Sequence, residues 1–205
     1  MLYYFRQRLP LLTGTLILLL MGLIFGSLAV KTLSPSQVAD LGSYIYSFYN
    51  SFPQELKMAN RHSLAVQCIV DNIIKINGLV WVLGLTIIGA PLILGIIFMR
   101  GFVLGFTVGF IISEMSFNGI IVAIASVLPH NLLILPALII TSTTSLSFAA
   151  AAVKTLTGSS KGNILNQFIG STLIILVSCA LLAAAALVEM YITPIFIQLS
   201  HGLIT

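Results

Sequence analysis

Residues 11–30 form a run of 20 residues without one charged side chain. As an α-helix rising about 1.5 Å per residue, such a run reaches about 30 Å, the thickness of the hydrocarbon core of a bilayer. Uncharged runs of similar length recur at residues 76–99, 132–153 and 168–188. A soluble domain would have to cover these runs with polar surface, and the chain has little to offer. Charged residues are 7% of the 205, against about 25% in ordinary globular proteins. The sequence therefore predicts an all-α membrane protein forming a single polytopic domain over residues 1–205.

About five spans are expected, near residues 11–30, 76–99, 101–116, 132–153 and 168–188. Arg6 and Arg8 precede the first. A cleaved signal peptide is the alternative there, since Ser27, Leu28 and Ala29 make a small-x-small site; an uncleaved anchor is the expectation. Gly89, Ala90 and Pro91 are placed to kink the second span, and Arg100 is read as the charge that ends it. Glu114 and Asn118 interrupt the third. Residues 117–128 are then a short re-entrant or interfacial helix leading to Pro129, His130 and Asn131.

Residues 31–75 form the one long polar segment. Ser34 is placed to cap a helix, Pro35 suits its first turn and Gln37 completes a capping box. Val38, Leu41, Ile45, Phe48, Tyr49 and Phe52 follow at helical spacing and make one apolar face. The segment is predicted to hold an extracytoplasmic amphipathic helix at the interface or packed on the bundle.

The charges orient the spans. With the N-terminus cytoplasmic, the short inner segments hold Arg6, Arg8, Arg100, Lys154 and Lys161. Asp40, Glu55, Asp71, Glu114 and Glu189 fall toward the outer side, and the C-terminus is extracytoplasmic. This is the positive-inside pattern. Lys31, Lys57, Arg61 and Lys75 lie in the long outer segment, where the rule weakens.

Few residues carry chemistry. The basic side chains are scattered singly, so nothing follows a nucleic-acid backbone. His62, His130 and His201 are isolated, and Cys68 and Cys179 have no metal-ligand spacing, so no metal or cofactor is expected. Gly158, Ser159, Ser160, Lys161 and Gly162 do not match a phosphate loop. No nucleophile–base set or paired carboxylates suggest catalysis. Gly101, Gly105 and Gly109 form a four-residue-spaced ridge suited to close helix packing, within the bundle or in a homodimer. Glu114, Asn118, His130 and Asn131 are candidates for an intramembrane polar site. Tyr44, Tyr46, Tyr49 and Phe52 are candidates for a partner surface, or for anchoring in the headgroup layer.

The stretch Arg100-Gly101-Phe102-Val103-Leu104-Gly105-Phe106-Thr107-Val108-Gly109-Phe110 resembles the stage II sporulation protein M family. So, in order along the chain, do Met21 to Gly26, Gly78 to Pro91, Met115 to Gly119, Leu128 to Asn131, and Leu135 to Ala137. The wider membrane family often shows Pro-His-Gly-x-x-Glu at the turn; here Asn131 and Ile134 stand at the Gly and Glu positions. The resemblance implies a non-enzymatic scaffold in the cytoplasmic membrane of endospore-forming bacteria. It would recruit stage II sporulation proteins P and D, an amidase/endopeptidase and a lytic transglycosylase, to the septal membrane during engulfment. The competing expectation is a subunit of a transporter or channel with a site near Glu114 and Asn118.

Overall fold

A computed structural model describes residues 2–44, 47, 70, 73, 77–86, 88–156 and 164–192. Every regular element among them is helical. Helix α1 (Leu2–Ala29) runs into a 3-10 turn (Val30–Thr32), and α2 (Leu79–Gly84) follows the polar segment. Helices α3 (Gly89–Ser126), α4 (Leu128–Leu156) and α5 (Ile164–Leu187) complete the bundle, with a π-helical turn over Val188–Ile192. Leu9–Thr32, Gly89–Met115, Leu128–Thr155 and Leu165–Tyr191 are long and apolar enough to cross a membrane. Large apolar side chains such as Ile17, Ile88, Leu132 and Val177 stand exposed around the bundle. A surface apolar all round is one that lipid solvates and water does not. The chain is an all-α, multi-pass membrane protein.

Close approaches fix the helix directions. A Cβ on Gly101 would overlap the carbonyl of Leu19, and one on Gly105 that of Leu23. A four-residue step along α3 matches a four-residue step along α1, so the two run parallel. Thr15 meets Thr143 at 3.3 Å, while Leu23 and Leu135 line one cavity; α4 therefore runs opposite to α1. Phe148 packs edge-on to Phe168, centroids 5.9 Å apart, and Ser178 reaches the Ala137 carbonyl, so α5 is antiparallel to α4. Ile73 packs against the cluster of Ile134, Ala137, Leu182 and Ala185, Asn77 beside Thr141 and Gly84 beside Ser145. Ile73, Asn77 and Gly84 thus step along α4, opposite to α1 and α3. Helix α4 sits at the centre, and each residue from Thr141 to Leu146 is buried. Leu19, Val80, Ile93, Ile97, Leu138 and Leu146 form the largest core cluster.

The helix boundaries differ from the sequence reading at Arg100. The expected second and third spans meet there, whereas the helix that starts at Gly89 runs on through Arg100 without a break. One helix ends at Gly84 and the next starts at Gly89; between them Thr86 Oγ1 accepts the Gly89 N–H (3.1 Å) and donates to the Leu83 carbonyl (3.0 Å). Pro91 then lies in the first turn of α3, where its missing N–H costs no hydrogen bond. A charge alone does not end a helix; loss of a backbone donor or a capping side chain does.

At its far end α3 doubles back. Ile111, Val122 and Ala123 share a buried cluster, although in a straight helix residues 11 positions apart are about 16 Å apart. A side chain at Gly119 would strike the Ile111 carbonyl, so glycine lets the two arms touch. The short helix expected at residues 117–128 is the returning arm, and only Val127 separates it from α4.

The polar segment starts as its sequence dictates. Ser34 Oγ accepts the Gln37 N–H (3.4 Å) and the Ser34 N–H donates to Gln37 Oε1 (3.0 Å), a complete capping box. Residues 35–44 are helical. Val38 and Leu41 are half-buried and Gly42 is buried, with Glu114 Oε2 3.3 Å from where its Cβ would be. This helix rests on the turn of the α3 hairpin.

Candidate functional site: polar groups inside the bundle

The glycine ridge is consumed within the chain. Gly101, Gly105 and Gly109 face α1, and Gly22 and Gly26 return the approach by facing the Phe98 and Phe102 carbonyls. Both helices shed side chains where they meet, so their backbones touch. In lipid this gains dispersion contact without desolvating any polar group.

The four candidate intramembrane polar residues divide into two pairs. Glu114 and Asn118 are exposed, at the hairpin turn beside the 35–44 helix. His130 and Asn131 lie at the start of α4, next to Arg100. Of the aromatic candidates, Tyr44 is 75% exposed and so leaves its ring free for another surface. Tyr46, Tyr49 and Phe52 lie outside the described residues, as does Cys68. Among the described residues no group of three or more His, Cys, Asp or Glu could hold a metal.

Two polar clusters form inside the bundle, and of their members the sequence had pointed only to His130 and Asn131 as an intramembrane polar site. The first joins α4, α5 and the segment before α2. The Thr141 hydroxyl contacts both Asn77 Oδ1 and Ser178 Oγ (2.7 Å), Ser178 donates to the Ala137 carbonyl (2.7 Å), and Asn77 Nδ2 lies 3.1 Å from Cys179 Sγ. Thr141 has a single proton. Because the Ser178 proton goes to Ala137, Thr141 must donate to Ser178. Turning the Asn77 amide so that its NH2 faces Thr141 then satisfies every hydroxyl and leaves its carbonyl toward the Cys179 thiol. All three oxygen-bearing side chains are buried, so the network ties three segments where no water competes. Its signal was a run of five hydroxyl residues, Thr141 to Ser145, within an apolar span.

The second cluster surrounds Arg100. A cavity of about 260 Å³ is lined by Arg100, Val103, Leu104, Thr107, Val127, His130 and Asn131. Asn131 is buried, and its Nδ2 donates to the Val127 carbonyl (2.8 Å) and to His130 Nε2 (3.0 Å). Because His130 Nε2 accepts, the ring proton sits on Nδ1. That Nδ1 is buried and has no partner. Glu189, on the π-helical turn after α5, acts electrostatically on both Arg100 and His130. Sequence reasoning took Arg100 for a loop charge because a lone arginine between two apolar runs looks the same in either setting.

Residues 15–194 match the family model described as Stage II sporulation protein M. No curated protein matches the chain, nor does any solved structure.

Proposed function

The chain belongs to the stage II sporulation protein M family, and on that premise we propose that this sporulation membrane protein is a non-enzymatic scaffold. In this reading it recruits and anchors peptidoglycan-cleaving partners, of the kind of stage II sporulation proteins P and D, at the septal membrane during engulfment. The N-terminus is cytoplasmic, and the hairpin turn with the 35–44 helix faces the wall. The observation that carries the reading is how the interior is used. The glycine seam and the hydroxyl network join helix to helix, as a scaffold requires. Tyr44 and the exposed polar face of the 35–44 helix supply surface outside the bundle.

The test is affinity purification of the tagged protein from detergent-solubilised sporulating cells, with partners identified by mass spectrometry. Recovery of membrane-anchored peptidoglycan-cleaving enzymes is the expected result. Recovery of an ATPase or a solute-binding protein in their place overturns the reading in favour of transport. Glu114→Gln serves as the internal control. Its carboxylate is exposed at the turn, so recruitment is expected to be unchanged, whereas a transport site at Glu114 would lose activity.

A further inference from the structure

Arg100 occupies an unusual depth. Its neighbour Gly101 packs on Leu19, close to the middle of the membrane-long segment Leu9–Thr32. Half a hydrocarbon core, about 15 Å, separates it from either surface. A charged arginine at such a depth is costly and calls for a partner.

Counting donors and acceptors shows what kind of partner is missing. A guanidinium offers five N–H donors and no acceptor. Among the described residues Arg100 makes no hydrogen bond and no ion pair within 4 Å. The His130 Nδ1–H is a second unspent donor. Asn131 Nδ2 is bonded twice and the Thr107 hydroxyl donates to the Val103 carbonyl (2.8 Å), which leaves Asn131 Oδ1 on the lining and the more distant Glu189 carboxylate as the acceptors of this chain set against these donors. The cavity is therefore rich in donors and short of an acceptor. Val103 and Thr107 on its rim are exposed, so it opens sideways, toward lipid, between α3 and the start of α4.

Depth excludes the usual acceptors. Lipid phosphates lie at the surface, and the hydrocarbon core holds no bulk water. A further acceptor at this depth is one carried in by another membrane-spanning segment. We propose that this lateral pocket docks a partner's transmembrane helix through a carboxylate near the middle of that helix, gripped by Arg100 and the Nδ1–H of His130. An arginine fork meets a carboxylate with two parallel hydrogen bonds, so the contact would fix depth and rotation of the partner as well as hold it. The inference rests on the scaffold reading and supplies that reading with an intramembrane contact.

The test uses the full chain, donor-labelled, in phosphatidylethanolamine–phosphatidylglycerol vesicles above neutral pH. The probe is a synthetic acceptor-labelled Leu/Ala transmembrane helix with one Glu at mid-span. Matched helices carry Gln at that position, or Glu moved to one end. The mid-span Glu helix is expected to associate about tenfold more tightly than either, the ratio that about 1.4 kcal/mol gives. Arg100→Gln should abolish the advantage, and Glu114→Gln should keep it. Equal association of the Glu and Gln helices with the unmodified protein overturns the proposal. So does an advantage that emerges only in Glu189→Gln, since Arg100 would then be held within its own chain. Failure here with recruitment in cells intact sinks the pocket and leaves the scaffold standing. Success here with no hydrolase recovered from cells does the reverse.

Discussion

The contact between α1 and α3 and the surroundings of α4 solve the same problem in opposite ways. Both must join helices in a solvent as apolar as leucine, where burying hydrocarbon gives little advantage. The α1/α3 seam does it by removal: Gly22, Gly26, Gly101 and Gly105 bring carbonyls and Cα atoms together with no side chain between. The interior around α4 does it by addition, with Thr15, Asn77, Thr141, Thr143 and Ser178 reaching across to one another. Close packing of backbones tolerates almost no change in volume. A hydroxyl network can lose one bond and keep its shape. The difference predicts a steep gradient of mutational sensitivity.

The largest effect is expected at the seam. Gly105→Val would force a branched side chain into the Leu23 backbone, which cannot move without parting the helices. Overpacking at a rigid contact costs about 3 kcal/mol or more, and the variant should lose its cooperative thermal transition in detergent. A comparable shift of opposite sign is expected at Arg100. Arg100→Leu replaces a mid-span charge by an apolar group, a change of about 3 kcal/mol on insertion scales. Its melting temperature should rise while association with the carboxylate helix is lost. A fall in melting temperature would mean that Arg100 is already paired within the bundle.

Smaller losses are expected in the hydroxyl network. Thr141→Val removes the bond to Ser178 and leaves Asn77 with one partner fewer. Interhelical hydrogen bonds of this kind are worth about 0.6 kcal/mol and at most about 1.7, so the melting temperature should drop measurably with the fold retained. The smallest effect is expected at Gly95→Ala. An added Cβ there meets nothing within 4 Å, and stability should stay within about 0.5 kcal/mol. Equal sensitivity at Gly95 and Gly105 would erase the distinction between a seam glycine and a lipid-facing one.

What was legible in the sequence follows the same division. Glycine spacing is a one-dimensional signal, and so are uncharged runs, the capping box at Ser34 and the interruption at Glu114 and Asn118. Each survived into three dimensions as a seam, a span, a helix start or a turn, except the run 76–99, which the break between Gly84 and Gly89 divides. The hydroxyl network was not legible because its members lie far apart in sequence and each resembles a tolerated polar residue in an apolar helix. Arg100 was misassigned for a related reason. Its role depends on whether α3 ends beside it, and that was decided by Thr86 and Pro91 several residues earlier. Which α1 residue each ridge glycine meets was likewise fixed by tertiary register, which no local pattern encodes.

The depth of Arg100 bears most directly on the account, because the continuous α3, the lateral pocket and the docking proposal all depend on it. Single cysteines placed along residues 85–118 of a variant with Cys68 and Cys179 replaced by alanine would be probed with a membrane-impermeant maleimide from each side of sealed vesicles. The structure predicts labelling near residues 85–88 from one side and near residues 113–118 from the other, with residues 97–104 protected from both. Labelling of residues 99–101 from the cytoplasmic side, as strong as that at 85–88, would put Arg100 in a loop and contradict the account.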